Sequence, residues 1–247
     1  DPENLNFESI NKLSKINLQT LPEILASERI GPCIFKPGKF VAIGLNYSDH
    51  AKETGAKTPT EPIVFMKATS SISGPYDDIE MPKDSSKLDW EVELAVVIGK
   101  ETKNISEKEV SDHILGYCIV NDVSEREWQL EKSGQWVKGK SGDTFGPTGP
   151  YLVTQDEIPD INNLNLILEV NGKKMQSGNT KNMIFNVNFL ISYLSKFMSL
   201  QPGDLITTGT PAGVGMGMKP QVFLKSGDNI KLSIDFLGEQ NSKVVIK

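Results

Sequence analysis

The strongest constraint in this sequence is the run Asp89-Trp90-Glu91-Val92-Glu93 and the five apolar residues that follow it, 94–98. The run begins as alternation, the period of a strand with one polar face, and ends apolar on both faces. Such a strand starts at a wet mouth and finishes inside a sheet covered on both sides. Five apolar residues fall far short of the roughly 20 that a membrane span needs. Further short strands are expected at 40–44, 63–67, 117–120, 151–153, 166–170, 205–208 and 230–236, with a turn at 146–150. Helices are expected after Ser106, where Glu109 completes a capping box, at 125–131, and at 187–198. In the last, Phe189, Leu190, Tyr193, Leu194, Phe197 and Met198 share one face. Strands and helices do not alternate as a repeating unit. A strand-rich α+β or mainly β fold is therefore expected, and a Rossmann or TIM-barrel plan is disfavoured.

Charge narrows the function classes. The 247 residues carry 26 Lys plus Arg against 32 Asp plus Glu, a net charge of −6. Nucleic acid and anionic membrane are thereby disfavoured as partners, because phosphate binding draws on clustered cations. The two cysteines, Cys33 and Cys118, form no CxxC spacing and no disulfide framework, so both read as small buried hydrophobes. No signal peptide is visible, and a cytoplasmic location is the expectation. Residues 1–38 read as an N-terminal extension, the shortened remnant of a small domain. A catalytic domain is expected over 39–247.

Glu91 and Glu93 stand at i and i+2, so on a strand they share a face about 6.6–7 Å apart. Side by side at the mouth of a buried strand they repel unless a cation or a proton lies between them. Asp122, just past the apolar stretch 117–120, is a third carboxylate that meeting strand ends would bring opposite the pair. Three oxygen ligands suit Mg²⁺ or Mn²⁺, and with two histidines in the chain zinc does not fit. The other reading is a solvated acidic strand face.

His50 and Glu53, at i and i+3, face each other if their segment is helical. A carboxylate that orients an imidazole makes a general base; the same pair also reads as a surface contact. Residues 138–143, Lys-Gly-Lys-Ser-Gly-Asp, lack the spacing of a phosphate loop and read as a basic turn. The Gly- and Thr-rich loop 207–215 can approach a ligand with its backbone, or be an ordinary loop.

In order along the chain, the motifs GLNYSDHAKE, FMKATSSISGP, DWEVELAVVIG, GYCIVNDVSERE, GKSGDTFGPTGP and SLQPGDLITTGTPAGVG resemble the fumarylacetoacetate hydrolase family. The resemblance runs from about Gly31 to the end. It implies a mixed β-sandwich roll, a homodimer, and one Mg²⁺ or Mn²⁺ held by Glu91, Glu93 and Asp122. It implies that His50 and Glu53 activate water from a lid segment, and that Lys140 lies near the substrate oxygens. Gln129 and Thr210 match substrate- or oxyanion-contacting positions, and Lys67 a basic position for a substrate carboxylate. Leu45 stands where several acylpyruvate-cleaving members carry Arg.

The implied activity is metal-dependent hydrolysis of a C–C bond in a small 2,4-diketo acid, an acylpyruvate or a diketo-deoxy sugar acid, to pyruvate and a carboxylic acid. The alternatives on the same scaffold are oxaloacetate decarboxylation or tautomerisation, hydroxymuconate-type isomerisation and ureidoglycolate cleavage. A non-catalytic metal-stabilised binding protein is the alternative of a different class.

Overall fold

The computed structural model describes residues 5–25, 27–55 and 57–246. Residues 1–4 and 26 of the expected extension, and residues 56 and 247 of the expected catalytic domain, lie outside the described residues. Among them the strands form two five-stranded sheets and two short pairs. The first sheet runs Ile63–Met66, Phe40–Gly44, Leu205–Thr207, Val92–Ile98 and Ile114–Asn121 in spatial order. Phe40–Gly44 lies parallel to Leu205–Thr207 and the other pairs are antiparallel. The second runs Lys173–Asn179, Asn165–Val170, Asn229–Ile234, Gly238–Ile246 and Ile79–Met81, with its last pair parallel. This is the strand-rich α+β architecture that the unpatterned strand order predicts.

The expected central strand is interior. Val92–Ile98 pairs with Leu205–Thr207 on one side and Ile114–Asn121 on the other, and every residue in it is buried. Its alternate residues go to different places. Val92, Leu94, Val96 and Ile98 join Leu166, Leu168, Ile230 and Leu232 in the main core. Ala95 and Val97 point to the other face, with Cys118, Val120 and Leu205, in a second cluster. Leu5, Phe7 and Ile10 cover that second cluster; a Cβ on Gly99 would lie 2.6 Å from the Phe7 ring. Burying side chains of this size is worth roughly 1.5–3 kcal/mol each. Contact with Cys33 and burial push the Cys118 thiol up, which leaves it inert, as a small hydrophobe would be.

Four local expectations are corrected. Ser106 does bond Glu109, through its N–H and hydroxyl to Oε2 (2.9 and 2.7 Å), but only a 3₁₀ turn, Val110–His113, follows. The strand Ile114–Asn121, buried throughout, claims the chain before a helix can extend. Residues 151–153 form no strand: Val153 makes a single bridge to Tyr117, and Gly146–Pro147, expected as part of a turn, pairs with Ile72–Ser73. The helix Val187–Phe197, capped by the Asn186 side chain on the Phe189 N–H, buries Val187, Leu190, Ile191 and Leu194. Phe189, Tyr193 and Phe197 form a row outside that face instead, the first two rings stacked and the third tilted, and Phe197 is 65% exposed. Among the described residues no helix is long and apolar enough to cross a membrane.

Candidate active site

The register of the two central strands builds the site. Val92 pairs with Asn121 and Glu93 with Val120, and the Asp122 N–H donates to the Glu91 carbonyl (2.9 Å). Asp122 therefore stands directly across from Glu91. Along the strand, Glu91 and Glu93 continue the row of Ala95 and Val97, because odd positions share a face. One carboxylate oxygen from each of Glu91, Glu93 and Asp122 lies within 4.8 Å of the others, and all three residues are buried.

Cations surround them. Lys140 Nζ donates to Glu91 Oε2 and Asp122 Oδ2, both at 2.6 Å. Lys67 Nζ donates to Asp122 Oδ1 (2.5 Å) and to the Lys140 carbonyl. Arg126 spreads its fork over three partners: Nε to Asp89 Oδ2 (2.9 Å), Nη2 to Glu91 Oε1 (2.6 Å) and Nη1 to Gln129 Oε1 (2.9 Å). Asp89 also accepts the N–H groups of Gly215 (2.7 Å) and Met216 (3.0 Å), which ties the Gly-rich loop to Arg126. Burial pushes the Glu91 carboxyl up, but Lys140, Arg126 and His50 together hold it below the usual carboxylate range. Burial, then Asp122 and Glu91, push the Glu93 carboxyl well up. Its hydrogen-bonding partner is the Gly209 N–H (2.9 Å), a dipole and not a charge. Glu93 is thus a buried carboxylate in want of a cation, and three oxygen donors so placed fit a hard divalent ion. Buried ion pairs contribute little net stability, so a cluster this dense points to chemistry.

Gly139 lets Lys140 reach the carboxylates. A Cβ there would lie 2.4 Å from the Glu125 carbonyl oxygen and 2.5 Å from the Gln129 nitrogen. Only glycine brings the short helix Val137–Lys140 this close to the π-helical segment Glu127–Glu131, which is the helix expected at 125–131, shortened at its start by the strand Ser124–Glu125. Gly139→Ala is expected to cost about 1–3 kcal/mol through overpacking and to lower kcat by shifting Lys140. Thermal melting and steady-state kinetics check both.

The segment 48–54 is helical as the His50–Glu53 pairing requires. His50 Nδ1 lies 3.4 Å from Glu53 Oε2, and the Gly213 N–H donates to Glu53 from the facing loop (3.0 and 3.1 Å). A proton on Nδ1 shared with Glu53 leaves Nε2 as the base. His50, Glu91, Glu93, Gln129, Lys140 and Thr210 line one cavity of about 160 Å³. Asp122, Glu53 and Lys67 stand behind that wall. Lys67 has a side chain with no exposed surface, so it braces Asp122 and does not face a substrate. Thr210 donates its proton to the Val92 carbonyl (2.9 Å) and accepts from Gln176 (2.8 Å), which leaves it no proton for an oxyanion. The solvated-turn reading of Lys140 fails, since the residue is 2% exposed.

Sequence reasoning missed Arg126 and Asp89. One signal pointed to the first: of 26 basic residues only Arg29 and Arg126 are arginines. A chain that otherwise uses Lys keeps Arg where a planar fork must bind several oxygens.

A two-sheet fold with a buried acidic triad and a histidine–glutamate pair gathered around one cavity, which Glu91, Glu93 and His50 line, defines an enzyme site. Residues 39–245 match the fumarylacetoacetate hydrolase C-terminal family, and the chain belongs to it. A Burkholderia ambifaria protein bearing a provisional hydrolase name is 57% identical over 237 residues, 96% of this chain and 84% of the relative. A fumarylacetoacetate hydrolase from Exiguobacterium antarcticum superposes with a TM-score of 0.87 at 39% identity, covering 94% of this chain and 84% of that one. A 2-hydroxyhepta-2,4-diene-1,7-dioate isomerase from Mycobacterium marinum does so with a TM-score of 0.81 at 38% identity, covering 94% and 83%.

Proposed function

We propose that this enzyme hydrolyses a C–C bond of a small 2,4-diketo acid, with Mg²⁺ or Mn²⁺ held by Glu91, Glu93 and Asp122. The observation that carries the reading is the gathering of those three buried carboxylates within 4.8 Å of one another, with Glu91 and Glu93 on the cavity that His50 lines and Glu93 hydrogen-bonded to a backbone N–H and to no cation. When bound, the ion supplies a Lewis acid for the carboxylate and 2-oxo oxygens of the substrate head.

The chain's own residues do the rest. His50, its tautomer fixed by Glu53, takes a proton from water at Nε2 as the water oxygen attacks the 4-oxo carbon. Lys140 keeps one N–H beyond its two carboxylate bonds, and Gln129, with Oε1 held by Arg126, keeps its amide N–H groups. These donors stabilise the developing oxyanion, each worth about 2.7–4 kcal/mol. The bond between C3 and C4 then breaks. The water oxygen stays on the acyl carbon, and C3 takes up the proton carried by His50, giving pyruvate and a carboxylic acid.

The test is pyruvate release from acetylpyruvate. Release with Mg²⁺ and its loss on adding a chelator are expected. No release with Mg²⁺ or Mn²⁺, or release indifferent to the chelator, contradicts the proposal. The likeness to an isomerase favours a second reading, isomerisation of an unsaturated 2-hydroxy acid with the same head group, which dispenses with activated water.

A further inference from the structure

The diketo-acid reading fixes the head of the substrate and leaves its tail open. The cavity wall speaks to the tail. Outside the polar groups, that wall consists of the side chains of Ile43, Leu45, Phe65, Leu130, Trp136 and Met216. The two cations on the wall are both committed: Arg126 to Asp89, Glu91 and Gln129, and Lys140 to Glu91 and Asp122. Thr54, the remaining hydroxyl on the wall, donates back to the His50 carbonyl (3.0 Å). Beyond the Lys140 and Gln129 N–H groups that serve the oxyanion, no cation among the described residues lining the cavity is left to pair a second carboxylate, and no row of side-chain donors to meet a row of hydroxyls. An unpaired polar group buried there loses roughly 10- to 100-fold in affinity.

The apolar wall is also built to hold its shape. The Phe65 ring meets Trp136 edge-on, centroids 5.2 Å apart, with Lys140 Nζ 5.2 Å from its own centroid. Trp136 in turn lies against Gly44, where a Cβ would fall 2.6 Å from the indole. Leu45 sits at φ 52°, a left-handed conformation that is costly for a side chain of this kind. The neighbouring Asn46 holds it there: its side chain donates to the Phe185 and Thr208 carbonyls (2.9 and 2.8 Å) and accepts the Phe185 N–H (2.8 Å). A preorganised apolar wall favours an apolar ligand without paying to order itself.

We infer that the substrate is an acylpyruvate whose tail beyond the 4-oxo group is short and apolar, and not a dicarboxylate or a polyhydroxylated sugar acid. The inference rests on the metal-and-diketo-acid reading for the head group alone. A cavity of about 160 Å³ is close to the size that holds one six-membered ring, so the tail is short.

The test separates tail from reaction by using oxamates, which share the carboxylate–carbonyl head and contain no C–C bond of the cleaved type. N-butyl, N-(3-carboxypropyl) and N-(2,3-dihydroxypropyl) oxamate are titrated by calorimetry with Mg²⁺ present. The butyl compound is expected to bind at least about 10-fold more tightly than the other two. Leu130, 43% exposed, accepts a longer side chain, and Leu130→Arg is expected to narrow the gap between the butyl and carboxypropyl compounds. Equal or tighter binding of the carboxypropyl or dihydroxypropyl compound by the unaltered protein overturns the inference. The expected binding order without pyruvate release from any acylpyruvate sinks the hydrolase reading and leaves the tail assignment standing. No binding by any of the three overturns both.

Discussion

Glu91→Ala is expected to abolish turnover and to destabilise the protein in one step. Glu91 accepts Arg126 through Oε1 and Lys140 through Oε2. Without it two buried cations lose a partner, and breaking a buried pair costs about 3–5 kcal/mol. In a chain of this size each kcal/mol moves the melting temperature by roughly 2–4 °C, so a fall of about 10 °C is expected. The same change removes one of three oxygen donors from the proposed ion. Lewis-acid stabilisation is worth several kcal/mol, so kcat/KM is expected to fall about 1,000-fold or more. Glu91→Gln separates the two effects. It retains the shape and one acceptor oxygen, so it is expected to melt closer to the parent yet to bind Mn²⁺ weakly by calorimetry. Parental activity in the Glu91→Gln variant contradicts the assignment of this residue.

The second large effect distinguishes the reactions that this scaffold can run. His50→Ala is expected to lower hydrolysis of acetylpyruvate by about 100- to 10,000-fold, the usual contribution of a positioned general base. Decarboxylation of oxaloacetate needs the head-group site but no activated water, so the variant is expected to retain whatever decarboxylation the parent shows. Glu53→Gln is expected to fall between parent and His50→Ala, because the 3.4 Å contact orients His50 and does not itself reach the substrate. Equal loss of both reactions in the His50 variant would place the histidine in substrate binding. Undiminished hydrolysis would remove it from the mechanism.

The central strand was legible because its pattern changes from alternating to wholly apolar within ten residues, and burial on both faces leaves few other solutions. Asp122 was legible for the related reason that it ends a second apolar strand. What the sequence could not carry was the pairing between those strands, which alone puts Asp122 across from Glu91. Lys67 and Lys140 look alike as isolated lysines, yet one braces Asp122 from behind and the other lines the cavity. The difference arises from which segments pack over the sheet end, a long-range fact. Asp89 reads as one more acid in a polar run until the loop at 215–216 folds back to donate two N–H groups to it. The capping box at Ser106 shows the limit of local rules: the Ser106 N–H does reach the Glu109 side chain, but the Ser106 hydroxyl donates to that same carboxylate and does not cap the Glu109 N–H, and the buried strand that follows leaves no room for a helix. On the helix Val187–Phe197 the apolar residues wrap more than one face, and periodicity alone did not say which face meets the core.

The most direct measurement is anomalous diffraction from a crystal soaked with Mn²⁺ and oxalate. The account predicts one manganese peak bonded to an oxygen from each of Glu91, Glu93 and Asp122, with oxalate beside it and His50 facing the oxalate. A cavity that stays free of manganese, or a peak held by other residues while those carboxylates keep only their lysine and arginine partners, would contradict it.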